Sequence, residues 1–298
     1  MRDAVGFIGL GTMGSAMAKR LLECGFHLVV YDINKKALAP FRANPNCHEA
    51  QSPGEVGMRA NRVITILPTS DQVDEVLFAA DGVAGTLCQG GLLIEMTTGR
   101  LDQLETQARS LSRSGHRMID APVCLSPREA ATGQLIALVG GEERDLETAR
   151  DILNALTSRV IHSGPTGFGL RLKLTNNYMS MINHVLTGEV LALAQAMGLD
   201  REVTVDLLQN TAAGRGQLLT NYPKKVLKGD VSPDFSIKMG IKDLEMSAAM
   251  FEEIDKTPAF GQLAKTLFRE ADKAGYGDQD CTAILNFLDQ RADLKVTP

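Results

Sequence analysis

Cysteine is sparse and unpaired in this sequence. Cys24, Cys47, Cys88, Cys124 and Cys281 are odd in number and lie scattered, with no C-x-x-C spacing. That argues against a disulfide framework or a thiolate zinc site, and for free thiols in a reducing compartment. The five histidines form no H-E-x-x-H, so no metal centre is expected. A basic surplus is also missing. The net charge is −5 and lysine and arginine cluster nowhere, which leaves no footprint for nucleic acid. No run approaches the ~18 apolar residues of a membrane span. The early apolar stretch "AVGFIGLG" is short, glycine-broken and followed by no small-residue cleavage site, unlike a signal peptide. A cytoplasmic protein without membrane partners is expected.

What remains is an ordinary globular composition, 44% hydrophobic and 22% charged over 298 residues, a length that favours two domains. In the first half, β-rich runs at 4–8, 27–31, 62–67, 91–96, 116–120 and 134–140 alternate with helical patterns such as 13–24, 70–79 and 100–114. This alternation predicts an α/β fold with a doubly wound, largely parallel sheet of the Rossmann type. Past about residue 163 the strand signals stop, and helical patterns follow at 168–197, 201–210, 234–255, 258–274 and 281–290. The sequence therefore reads as a nucleotide-binding domain at 1–163 and an all-helical domain at 164–298, opening with a helix ~40 Å long.

"GFIGLGTMG" places Gly9, Gly11 and Gly14 in G-x-G-x-x-G spacing between the first strand and the first helix, with Thr12 and Met13 inside the turn. Such glycines permit a tight turn, close approach of a pyrophosphate, and close helix–strand packing. The helix start then offers its N–H groups to phosphate. Asp32 ends the second strand, 18 residues beyond Gly14, where an acid would bind ribose hydroxyls and repel a 2′-phosphate. The pattern predicts NAD and favours it over NADP, although Lys35 and Lys36 are near. A plain glycine turn and a solvated aspartate are the blander alternatives.

The stretch "LRLKLTNNYMS" at 170–180 reads as helix, yet Lys173, Asn176 and Asn177 interrupt its apolar pattern. Lys173 and Asn177 are four residues apart and share a helix face. Either that face reaches solvent, or it lines a cleft where a substrate completes its hydrogen bonding.

Taken together, "GFIGLGTMGSAMAKRLL", "ITILPTSDQVDEVLFAADGV", "LIEMTTG", "DAPV…GQLIALVGG", "KLTNN" and "IKDLEMS" resemble, in order, the motifs of the β-hydroxyacid dehydrogenases. That family includes 3-hydroxyisobutyrate dehydrogenase and tartronate semialdehyde reductase, with 6-phosphogluconate dehydrogenase as a larger relative. The second half is most similar to the bacterial 3-sulfolactaldehyde reductase branch. The resemblance implies hydride exchange between NAD(H) and a small anionic semialdehyde or hydroxyacid, in a homodimer or homotetramer built through the helical domain. It further implies that Lys173 is the catalytic lysine, that Asn177 orients substrate, and that Asn176 is its neighbour. Leu67, Pro68 and Thr98 match positions beside the cofactor, and Phe235 and Lys242 match positions that close over cofactor and substrate.

One loop departs from the family. Members usually continue "DAPV" with Ser-Gly-Gly, which holds the substrate's acid end, whereas this chain has Cys124, Leu125, Ser126, Pro127 and Arg128. The sulfolactaldehyde branch places an arginine where Leu125 stands. An anion contact from Arg128, Arg171 or Arg215 is expected instead, since guanidinium suits sulfonate and carboxylate alike. Cys124 could suggest a catalytic thiol, but hydride transfer to an aldehyde needs no covalent intermediate. Three readings stay open: a semialdehyde reductase (of 3-sulfolactaldehyde, or of the 3-hydroxyisobutyrate or succinic semialdehyde type), a decarboxylating sugar-acid dehydrogenase, and a non-catalytic NAD-binding protein.

Overall fold

A computed structural model describes residues 4–293. Among the described residues nine strands form one sheet: β1 (Val5–Ile8), β2 (Leu28–Tyr31), β3 (Cys47–Glu49), β4 (Arg62–Thr65), β5 (Leu92–Glu95), β6 (Arg117–Asp120), β7 (Val123–Cys124), β8 (Leu135–Gly140) and β9 (Thr157–Gly164). Their order is β3-β2-β1-β4-β5-β6-β8-β7, with β9 paired to β8. The first six run parallel, β8 is antiparallel to β6 and β7, and β9 is parallel to β8. This is the expected doubly wound α/β architecture. The chain leaves β1 toward β2 on one side and returns to β4 on the other. The loop after β1 therefore opens at the switch point where such sheets bind ligands.

Burial explains why these segments are strands. Parallel strands are covered on both faces, so their residues are apolar in succession and alternate between two cores. Phe7, Ile64, Leu92 and Ile94 enter one core with Met17 and Leu21 of the helix Thr12–Glu23 and with Ile152 and Leu156 of the helix Glu143–Leu156. Ile8, Val63 and Leu93 enter the other, against the helices Pro53–Arg59, Ser70–Phe78 and Leu101–Arg113.

The chain divides into two compact units, 1–179 and 180–298. The division falls inside the helix Phe168–Ala196 and not at its start, because the first turn of that helix packs on the sheet through fully buried Leu170. The second unit holds the helices Arg201–Asn210, Ile237–Glu252, Ala259–Ala271 and Ile284–Arg291. Its buried apolar cluster is small, built on Ile237, Ala271, Ala283 and Phe287. Among the described residues no helix is long and apolar enough to cross a membrane, and no cluster of His, Cys, Asp and Glu could hold a metal ion.

Candidate active site

The first unit carries a cavity of about 1020 Å³ at the carboxyl ends of β1, β2, β4 and β5. Its floor is the glycine turn. Gly9 has φ +99°, and a Cβ there would lie 2.2 Å from the Ile66 carbonyl oxygen. A Cβ on Gly14 would lie 1.9 Å from the Gly9 carbonyl oxygen, so both glycines are demanded by the protein's own packing. Gly11 differs: a Cβ there would meet nothing within 4 Å. The protein leaves that space open, toward the cavity that Gly11, Thr12 and Met13 line. Gly11 also caps the helix Thr12–Glu23 with no side-chain bond, leaving amide donors for a ligand. These features fit a dinucleotide's pyrophosphate.

At one end of the cavity stands Asp32, whose Oδ2 accepts from the Leu10 N–H and Oδ1 from the Asn34 N–H, both at 2.7 Å. The carboxylate is thereby fixed, with lone pairs left for hydroxyl donors. Ile33, Val76 and Ala79 give this end an apolar rim, and Glu75 and Asp81 add negative charge. Lys35, which the sequence places near a possible 2′-phosphate, lies over the Tyr31 ring at 5.5 Å.

The middle of the cavity is bounded by Leu67, Pro68, Met96 and Thr98. Leu67 donates its N–H to Thr97 Oγ1 at 3.0 Å, and the Thr97 N–H donates to Glu95 Oε1 at 2.6 Å. The Thr65 hydroxyl donates to the other Glu95 oxygen. Burial pushes the Glu95 carboxyl up to about 7, opposed by these bonds and assisted by the neighbouring Asp120. Asp120 is its register partner on β6, and its own carboxyl is pushed up to about 6 by burial.

At the far end lie Val123, Leu125 and Lys173. Lys173 is half-buried, points its amine at the Cys124 sulfur 3.9 Å away, and is the one cation lining the cavity among the described residues. Leu125 holds φ +84°, a left-handed conformation that costs a branched side chain about 1–2 kcal/mol.

The other expected site residues stand outside this wall. Asn177 is half-buried one turn beyond Lys173 and accepts from the Asn176 amide at 3.2 Å. Ser126 is occupied in a capping box with Glu129 that opens the helix Pro127–Thr132, on which Arg128 is exposed. Arg171 is paired with Glu105 at 2.9 Å and stacked over Phe168, so it is already committed. Arg215, Phe235 and Lys242 belong to the second unit. There the Phe235 N–H donates to Asp280 Oδ2 at 3.3 Å, and Lys242 stands 3.7 Å from Asp243. The sequence reading passed over Glu95 and Asp120, although acids ending adjacent parallel strands are a legible signal.

Residues 4–164 match the model of the NAD binding domain of 6-phosphogluconate dehydrogenase. Residues 167–288 match that of the NAD-binding domain of NADP-dependent 3-hydroxyisobutyrate dehydrogenase. The chain is 37% identical to 3-sulfolactaldehyde reductase of Escherichia coli over 95% of its length and 94% of that protein's. It is 31% identical to human mitochondrial 3-hydroxyisobutyrate dehydrogenase, covering 96% of this chain and 87% of that one. Among solved structures, a Mycobacterium tuberculosis 3-hydroxyisobutyrate dehydrogenase with L-serine matches at a TM-score of 0.66 and 25% identity, over 97% and 99% of the two chains.

Proposed function

The chain belongs to the 3-hydroxyisobutyrate dehydrogenase family of NAD-dependent oxidoreductases, and from that premise we propose that it interconverts a short acid-bearing semialdehyde and its primary alcohol, with Lys173 as general acid and base. One observation carries this reading: an amine stands in the wall of the same cavity whose floor is the glycine turn. Bound NADH supplies a hydride to an aldehyde carbon, and NAD takes one back from the alcohol. The chain's task is the oxygen. As that atom becomes electron-rich, the Lys173 ammonium stabilises it and hands over a proton; in the other direction the amine takes the proton back. Asn177, on the same helix face, is the residue we assign to orient the hydroxyl.

NAD is preferred over NADP in this proposal, because a 2′-phosphate would meet Asp32, Glu75 and Asp81 with no cation in that part of the wall. Our first choice of substrate is 3-sulfolactaldehyde, supported by the 37% identical relative. A second choice, of the 3-hydroxyisobutyrate or succinic semialdehyde type, draws support from the apolar Met96, Val123 and Leu125. The anion contact is assigned to Arg128 or Arg215, and an unchanged KM in both alanine variants removes that assignment. Residues 1–163 are assigned to NAD binding and 164–298 to substrate handling and assembly. A homodimer or homotetramer in the cytoplasm is part of the proposal. Val203, Leu207, Leu219 and Met246 of the second unit are each more than 60% exposed, apolar side chains that a second copy would cover.

The test is a panel of 3-sulfolactaldehyde, succinic, methylmalonate and tartronate semialdehydes with NADH followed by absorbance. Turnover of at least one is expected, with a kcat loss of ~10²–10⁴-fold in Lys173→Ala and unchanged NADH affinity. Intact NADH binding without turnover of any aldehyde would favour a non-catalytic protein. Full speed in Lys173→Ala would remove the assigned chemistry.

A further inference from the structure

The helix that carries Lys173 has no capping side chain of its own at its first turn; a carboxylate from the sheet does that work. Asp120, at the carboxyl end of β6 and fully buried, accepts the Gly167 N–H on Oδ1 at 2.6 Å and the Leu170 N–H on Oδ2 at 2.7 Å. Gly167 immediately precedes the helix Phe168–Ala196 and Leu170 lies in its first turn, so one acid satisfies two of the donors a helix start leaves free. The charge is also of the sign that a helix N-terminus favours. The helix start is pressed directly onto the sheet. A Cβ on Gly169 would stand 2.2 Å from the Leu138 carbonyl oxygen and 2.8 Å from Asp120 Oδ2, and one on Gly140 would stand 2.5 Å from Asp120 Oδ1. Lys173 follows Leu170 by three residues, less than one helical turn. A shift of the anchored turn therefore moves the amine by a similar amount.

We propose that Asp120 is a positioning residue for Lys173: by holding the first turn of the helix against β6 and β8, its carboxylate fixes where the amine stands in the cavity. The proposal rests on the assignment of Lys173 as proton donor. It is distinct from a general structural role, because the glycine turn and Asp32 lie on other strands and owe nothing to this anchor. Asp120→Asn keeps size but turns an amide donor toward one of the two backbone donors, which displaces the turn. Misplacement of a reacting group by about 1 Å costs on the order of a hundredfold in rate.

The experiment is a double-mutant cycle in kcat, with NADH affinity measured for each protein. Asp120→Asn is expected to lower kcat at least ~10-fold while NADH affinity stays within about twofold. In the Lys173→Ala background the same substitution is expected to cost nothing further, since the group it aims is gone. An equal loss in both backgrounds, or a parallel loss of NADH affinity, would overturn the proposal. Full activity in Lys173→Ala alone would instead strike the assigned function, so the two failures are distinguishable. Should Asp120→Asn not fold, hydrogen exchange in the unmodified protein decides. Slow exchange at the Gly167 and Leu170 amides is expected, and exchange as fast as in open loops would refute the anchor.

Discussion

Replacing Glu95 with glutamine probes the hydrogen-bonded carboxyl beneath the middle of the cavity. Glu95 is 1% exposed, and burial is the largest cause of the rise in its carboxyl from 4.5 to about 7. A difference of about 2.5 units at 1.36 kcal/mol each gives roughly 3 kcal/mol. The sign follows from proton linkage. A raised carboxyl binds its proton more tightly in the folded chain, so its contribution to stability is complete below about 4.5 and is lost as pH rises through about 7. At pH ~8 the wild type holds a buried charge that glutamine does not. Glutamine keeps an acceptor for the Thr97 N–H and offers its amide to the Thr65 hydroxyl, so the bonds survive the exchange. Urea unfolding of both proteins at pH ~5 and ~8 measures the effect as a difference of differences, in which titrating groups remote from Glu95 cancel and its coupled neighbour Asp120 does not. Glu95→Gln is expected to gain on the wild type by about 2–3 kcal/mol between those pH values. An advantage that is flat with pH, or that shrinks as pH rises, would refute the account of Glu95 as a charge held against its burial cost.

Three further outcomes follow from the glycine turn and the loop after β7. Gly11→Ala is expected to leave the melting temperature nearly unchanged, since its Cβ meets no protein atom, while weakening NADH binding at least ~10-fold. Gly14→Ala, with its Cβ 1.9 Å from a carbonyl oxygen, is expected to destabilise the fold by about 2 kcal/mol or more; calorimetric titration and thermal melts separate the two. Leu125→Gly removes a large side chain that is 56% exposed and sits at φ +84°. Relief of about 1–2 kcal/mol of backbone strain offsets about 1 kcal/mol of added chain entropy. A loss of stability well above 1 kcal/mol in urea unfolding would contradict that balance.

The parts of the fold that were legible in the sequence are those where one physical demand dominates. Doubly covered strands need continuous apolar runs, and all six strands expected from such runs are present, as is the helix expected over 168–197. Three strands left no such signal. Cys47–Glu49 is short and half-exposed, Val123–Cys124 has two residues, and Thr157–Gly164 is an edge strand whose exposed Arg159 and His162 break any apolar pattern. The helix Glu143–Leu156 was passed over despite buried residues at helical spacing, because acidic and basic residues fill its outer face. At the site, the glycine turn, Asp32, Leu67, Pro68, Thr98, Leu125 and Lys173 come to one cavity. Ser126 and Arg128 do not line it. "SPRE" is the Ser-x-x-Glu signature of a capping box with proline at the first helical position, and that local demand turns the serine toward Glu129.

The long helix has a fixed end and a far end. Because the anchored turn lies just ahead of the amine, Lys173 stands between the clamp at Leu170 and the stretch from Ser180 to Ala196, three residues from the first and seven from the start of the second. A strain arising in the far stretch is therefore met, within three residues of Lys173, by a turn held to the sheet, so the helical half can vary while the amine keeps its registration.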